Sequence, residues 1–187
     1  MKRQISISLF IILVILTACN NSSNNDLSPI EQGQSFAMQT QAVLASNLIN
    51  AINTTGTVQA LEFCSEKVYP LTDSMALELD VKLKRVSDKP RNSKNRANRD
   101  EMTYISKSKE LLTKGEDVKP EIAEINEKMV GYYPIITNQI CLQCHGKQNK
   151  EVRAKTLSKI EELYPTDEGI GYGINELRGI WVVEMKK

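Results

Sequence analysis

"YYPIITNQICLQCHG", Tyr132 to Gly146, joins a strand-forming run to a cysteine pair and to the only histidine of a 187-residue chain. Tyr132, Tyr133, Ile135 and Ile136 are aromatic or β-branched, which favours an extended segment from about Met129 to Thr137. The charged stretch before it, "KPEIAEINEKMVG", also allows a helix. The unit therefore reads as a hairpin or a helix-to-strand pair that runs directly into Cys141-Leu142-Gln143-Cys144-His145.

Chance does not account for that spacing. Shuffling four cysteines and one histidine over the chain yields C-x-x-C-H in roughly one sequence per three thousand, and this spacing is that of c-type haem attachment. Two thiols, Cys141 and Cys144, add across the vinyl groups of one haem, and the adjacent imidazole of His145 ligates the iron. Gly146 stands where the backbone must bend away from a bulky ring, and glycine tolerates most backbone angles. Three other readings compete. A Cys141–Cys144 disulfide has no need of His145. A zinc site of Cys64, Cys141, Cys144 and His145 is a permitted Cys₃His set, but zinc motifs space their ligands by two or more residues. A core histidine beside unrelated cysteines leaves the spacing unexplained.

Haem c is attached outside the bacterial cytoplasm, so export is an independent test. The chain begins "MKRQISISLFIILVILTACNNSSNND". Lys2 and Arg3 form a positive n-region, and Ile5 to Leu16 form a short apolar run. About 12 residues suit a signal peptide, whereas a spanning helix needs about 20. Leu16-Thr17-Ala18-Cys19 resembles a bacterial lipobox. Residues 1–18 are thus expected to be a lipoprotein signal peptide, with Cys19 lipidated and holding the protein on a membrane without spanning it. Residues 19–32, polar and low in complexity, are expected to be a flexible tether. With Asn20 after the lipidated cysteine, a resemblance to Gram-negative lipoproteins favours the periplasmic side of the outer membrane.

Removing residues 1–18 leaves 22 basic and 23 acidic residues, from 24 and 23 in the whole chain, for a net charge of −1. Nothing in that balance points to nucleic acid. Residues 33–187 suffice for one domain with a real core, and no internal repeat is visible. Phe36, Val43, Leu44, Leu48 and Ile52 recur at helical spacing up to Gly56. A second helix, "VQALEFCSEKVYPL", aligns Leu61, Cys64, Val68 and Leu71, and Pro70 marks a kink or break. Val81 to Ser87 alternates like a strand. Asp100 could cap a helix running to Lys114 and Gly115. Residues 150–163 read as an amphipathic helix with Val152, Leu157, Ile160 and Leu163, and Leu177 to Met185 as a final strand. Helices first and strands later indicate an α+β fold with an antiparallel sheet, flanking helices and a long N-terminal helix.

A single histidine excludes bis-histidine ligation within one chain. The candidates for the sixth iron position are a methionine (Met38, Met75, Met102, Met129 or Met185), a lysine, Cys64 or nothing. Cys64 on an apolar helix face also fits a buried free thiol acting as a small hydrophobe.

From Phe36 to Met185 the chain resembles a bacterial family of single-haem c-type domains with a PAS-like fold. Its members occur as small exported proteins and as input regions of sensor kinases. The likeness rests on "LEFCS", on "KRVSDKPRNSKNRAN" against an R-x-S…R-N-P-x-N pattern, on "YYPIITNQICLQCHG", and on "LYPTDEGIGYGINELRG" against Y-P-x-D…G-Y…G-x-x-R-G. Ser93 stands where the family has proline, and the loop is unusually basic. The resemblance implies a PAS-like sheet and Cys64 as the second axial ligand. Haem propionates attract guanidinium groups. Arg85 and Arg91 are the candidates to bind them, with Arg178 a weaker one.

Thiolate ligation stabilises ferric iron, and reduction should weaken the iron–sulfur bond. The leading expectation is a membrane-anchored monohaem protein acting in redox or gas sensing, with a redox or signalling protein as partner and a diatomic gas as possible ligand. A periplasmic electron carrier is the alternative, and a zinc-stabilised binding module a distant one. A peroxidase would need acid–base groups by the iron, and no second histidine exists to serve.

Overall fold

The computed structural model describes residues 27–187. The signal peptide, Cys19 and the first part of the tether lie outside the described residues. Helix α1, Pro29–Thr55, is followed by α2, Thr57–Glu66, and α3, Val68–Glu78. Strand β1, Lys82–Val86, precedes α4, Arg99–Thr113. Strands β2, Glu121–Ile125, and β3, Lys128–Ile136, lead into a one-turn helix α5, Leu142–His145. Helix α6, Ala154–Leu163, and strand β4, Leu177–Lys186, complete the chain. The four strands form one antiparallel sheet in the order β1-β4-β3-β2. The α+β class, the antiparallel sheet and the long N-terminal helix are as expected.

The sheet is covered on both faces. Trp181, Val183 and Met185 of β4 and Tyr133 of β3 pack on Ala37 and Leu44 of α1 and Val68 of α3. The alternate residues Ile180 and Val182 of β4, with Val130 and Tyr132 of β3, pack on Tyr104 and Ile105 of α4. Strand periodicity of two sorts the residues between the layers. A smaller cluster of Leu61 in α2 with Val152 and Ile160 of the α6 region takes in Cys144, Leu157 and Leu163 at its edge. It forms the floor beneath the motif turn.

Several boundaries differ from expectation. The tether expected to reach residue 32 stops short, because α1 begins at Pro29. Glu31 accepts from both the amide and the hydroxyl of Ser28, at 2.9 and 2.6 Å, and proline at the first helical position needs no amide partner. Pro70 does not break a helix. It sits in the first turn of α3, and the break falls at Lys67. The cap of α4 is Asn98, whose side chain accepts from the Glu101 amide at 3.0 Å, and Asp100 lies in the first turn. The ambiguous segment is a hairpin, closed by Asn126 and Glu127, both at positive φ (50° and 62°), the pairing a tight two-residue connection demands. Pro134 is tolerated in β3 because it lies beyond the reach of β2, which pairs only as far as Tyr132.

Candidate functional site

The thiols and imidazole of C-x-x-C-H lie on a single turn. Asn138 caps it: its side-chain oxygen accepts from the amides of Ile140 and Cys141 and from the Cys141 thiol, at 3.0, 3.3 and 3.2 Å. The backbone then winds once, with the His145 amide donating to Cys141 O at 2.9 Å. Cys141, Cys144 and Cys64 are all free thiols and half-buried, so the disulfide reading is not realised. Gly146 is needed for space and not for its angles. Its backbone is extended, with φ −70° and ψ −169°, but an added Cβ would meet Leu142 O and Glu151 Cβ, each at 2.6 Å.

Helix α2 brings Cys64 to this turn. Thr57, Leu61 and Cys64 are spaced i, i+4 and i+7, which places them on one helical face. The Thr57 hydroxyl donates to the Gln143 side chain at 2.8 Å, and Leu61 packs in the cluster that Cys144 borders. That face therefore looks at the motif. Cys64 lies close enough to Cys144 to act on its ionisation. Burial pushes the Cys64 thiol up, and the nearby Arg91 and Arg85 charges oppose that shift. Burial likewise pushes Cys144 up, to about 11.

His145 is held by the loop before β4. Its Nδ1 lies 2.6 Å from Gly169 O. A carbonyl can only accept, so Nδ1 carries the hydrogen and Nε2 keeps its lone pair. Arg178 Nε, at 3.2 Å from the same Nδ1, is then a close cationic neighbour and not a donor to it. Crowding of the ring by protein atoms, followed by the Arg178 and Arg91 charges, holds the imidazole well below its usual pKa, and so neutral. The same loop grips the motif backbone: the Tyr172 amide donates to His145 O at 2.9 Å and the Gly171 amide to Gly146 O at 2.8 Å. The Tyr172 ring stands edge-on to the imidazole, with centroids 6.4 Å apart. Its buried hydroxyl has no hydrogen-bond partner among the described residues.

The arginines divide into different roles. Arg91 is buried and committed. Its Nε and Nη2 fork onto Asp167 at 3.2 and 3.1 Å, and Nη2 also donates to Cys144 O at 2.6 Å. Arg178 donates through Nη1 to Ser87 Oγ and Lys89 O, both at 3.1 Å. Arg85 extends from β1 over the Trp181 ring, 5.4 Å from its centroid. Its side chain makes no hydrogen bond or ion pair among the described residues, although Cys64 and Tyr69 lie near enough to act on it. The structure thus brings together Cys64, Cys141, Cys144, His145, Arg85, Arg91 and Arg178. Asp167, Gly169, Tyr172 and Tyr164 also belong to the cluster and were not singled out from the sequence. Their only sequence signal is the segment "LYPTDEGIGYG".

What can the cluster hold? No group of three or more His, Cys, Asp or Glu side chains among the described residues is arranged to hold a metal ion, which leaves the zinc reading without support. A porphyrin asks for a different set: two reactive thiols on one turn, a neutral imidazole with a free nitrogen, a further donor near that turn, and cations for carboxylates. Those residues are present. The groove of about 560 Å³ lined by Leu27, Gln34 and Met38 lies along α1, away from the cysteines. No helix among the described residues is long and apolar enough to cross a membrane.

The profile of a family described as Tll0287-like matches residues 15–185. Among solved structures, that of the cyanobacterial heme-protein Tll0287 superposes with a TM-score of 0.62 at 19% identity, covering 86% of this chain and 98% of that one. This likeness establishes the shared fold. No curated protein sequence matches the chain.

Proposed function

Because the chain belongs to the Tll0287-like family, we propose that it is a monohaem protein of the c type acting in redox or gas sensing at a membrane surface. Cys141 and Cys144 would hold the haem covalently, and His145 and Cys64 would ligate its iron. One observation carries the reading: His145 donates Nδ1–H to Gly169 O at 2.6 Å, which leaves Nε2 free on the turn that presents two free thiols. A structure of the same fold is that of a heme-protein, which supports the same cofactor here.

A bound haem would supply one-electron chemistry and, where an axial position opens, a seat for a diatomic gas. The chain's own residues divide the remaining work. His145 offers a neutral nitrogen whose orientation is fixed from behind. Cys64 offers a soft sulfur from a helix face already turned to the motif. Arg85, whose guanidinium makes no hydrogen bond or ion pair among the described residues, is the better partner for a propionate. Arg91 is taken up by Asp167 and Cys144 O. A periplasmic electron carrier is the second reading, favoured by the density of hydrogen bonds that stiffen the motif turn. Cys19 is proposed to be lipidated, which would place the protein on the periplasmic side of the outer membrane. N-terminal mass spectrometry should find cleavage before Cys19 and acyl groups on it, and cleavage elsewhere without lipid would refute the anchor.

Absorption spectra of the purified protein, oxidised and reduced, with and without carbon monoxide, test the functional reading. Cys64→Ser should alter the ferric spectrum and raise the reduction potential, since an anionic donor is lost. Carbon monoxide uptake by the reduced wild type supports sensing. A reduced form that ignores it favours the carrier. A ferric spectrum and potential unchanged in Cys64→Ser would remove Cys64 from the ligand set.

A further inference from the structure

We propose that Asp167 is a positioning residue for His145, setting through Gly169 the strength with which Nε2 donates. The inference rests on the haem reading above for its functional meaning, but its geometry stands on this chain alone. The Asp167 side chain is only 6% exposed. Its Oδ1 accepts from the Gly169 amide at 2.7 Å and from Arg91 Nε at 3.2 Å, and its Oδ2 accepts from Arg91 Nη2 at 3.1 Å.

One carboxylate therefore clamps both sides of the imidazole's support. On one side it fixes the Gly169 amide two residues ahead, the closure an aspartate makes in a tight turn. The carbonyl of that same residue receives the His145 Nδ1 hydrogen. On the other side it aims Arg91, whose Nη2 holds Cys144 O at 2.6 Å and so fixes the turn from which His145 projects. An added Cβ at Gly169 would press on the Arg178 guanidinium, with Nη2 at 2.7 Å, and on Asp167 Oδ1 at 3.0 Å. Asp167 also supplies negative charge beside Arg178 and Arg91, the two cations that act most strongly on His145. A firm acceptor behind Nδ1 increases the basicity of the opposite nitrogen, and loss of such a partner typically weakens a metal site about tenfold or more.

The test uses the mature protein as purified, with its single histidine labelled with nitrogen-15. Asp167→Ala should shift the Nδ1 resonance of His145 and broaden or lose its Nδ1–H proton. In the haem-loaded protein it should raise the reduction potential, by an amount equal to about a tenfold change in the ratio of reduced to oxidised protein, or about 59 mV for one electron. Asp167→Asn keeps an oxygen for the Gly169 amide but loses the charged fork, so it should lower stability and move the Nδ1 resonance less than Asp167→Ala does. A purely structural Asp167 would not separate these two readouts. If Asp167→Ala does not accumulate, Gly169→Ala displaces the turn while keeping the aspartate, and it should move the same resonance. An Nδ1 resonance unmoved in every folded variant overturns the proposal, as does Asp167→Asn moving it as far as Asp167→Ala. A colourless protein in which the resonance still moves overturns the haem reading and supports the Asp167–Gly169–His145 link.

Discussion

Replacing Arg91 with methionine keeps most of the length and apolar stem of the side chain and removes its charge and three donated hydrogen bonds, two to Asp167 and one to Cys144 O. The side chains of the pair are 10% and 6% exposed, so little solvent screens them. Removing one partner of such a buried pair costs about 3–5 kcal/mol, mostly because the other charge stays buried alone. Asp167 keeps only the Gly169 amide as a donor, which places the expected loss inside that range. Urea lowers stability by about 1–3 kcal/mol per molar for a domain of this kind, so the midpoint followed by far-ultraviolet circular dichroism should fall by about 2 M. Adding Asp167→Asn to Arg91→Met removes the stranded charge. The double variant should be less destabilised than the sum of the singles by about 1–3 kcal/mol. If Arg91→Met lies within about 0.5 kcal/mol of the parent, the range of an ordinary surface substitution, or if the two changes are simply additive, Arg91 is not the latch described.

Two further outcomes follow from packing and burial. Gly33→Ala gains about 1 kcal/mol of helix propensity, but its methyl would run into the Tyr133 hydroxyl, with ring Cζ at 2.9 Å and Met185 Cε at 3.1 Å. Overpacking of that kind costs about 1–3 kcal/mol. Urea melts should find Gly33→Ala less stable, with part of the loss recovered in a Tyr133→Phe background, and a more stable Gly33→Ala would show that α1 is not seated as described. Burial pushes Tyr104 and Tyr133 up to about 12 from the ordinary 10.0. The folded state holds these protons more tightly than the unfolded chain, so their contribution is complete below pH 10 and is lost as pH rises through 10 to 12. Urea midpoints measured from pH 9 to 11.5 should decline in that window, and a flat profile would contradict the burial of the two rings.

The fold was legible where one residue's neighbours in sequence are also its neighbours in space. Strand alternation at Val81–Ser87 and Leu177–Met185 and the helical spacing from Phe36 to Ile52 needed no tertiary information. The helix caps were harder, because Ser28 and Glu31 sit in a polar tail whose composition suggests disorder, while the two hydrogen bonds that Ser28 donates to Glu31 start a helix. The motif turn carried its own signature in Cys141, Cys144 and His145. The rest of the cluster comes from contacts across long stretches of chain. Arg91 meets Asp167 76 residues away, and the loop pattern that marks Arg91 as a candidate says nothing of that partner. Arg85 alternates as a strand residue should, and only the sheet places it over Trp181. Gly169 looks like an ordinary turn glycine until its carbonyl is seen behind His145.

The covalent bond between chain and cofactor is the most direct test of the account. Purified mature protein should be denatured and extracted with acidified acetone, and the chain then assayed as its pyridine haemochrome. The account predicts that the colour stays with the polypeptide, with one haem per chain, and that a Cys141→Ala/Cys144→Ala variant carries none after the same treatment. Colour that leaves with the solvent, or a wild-type chain that has none to begin with, would contradict it.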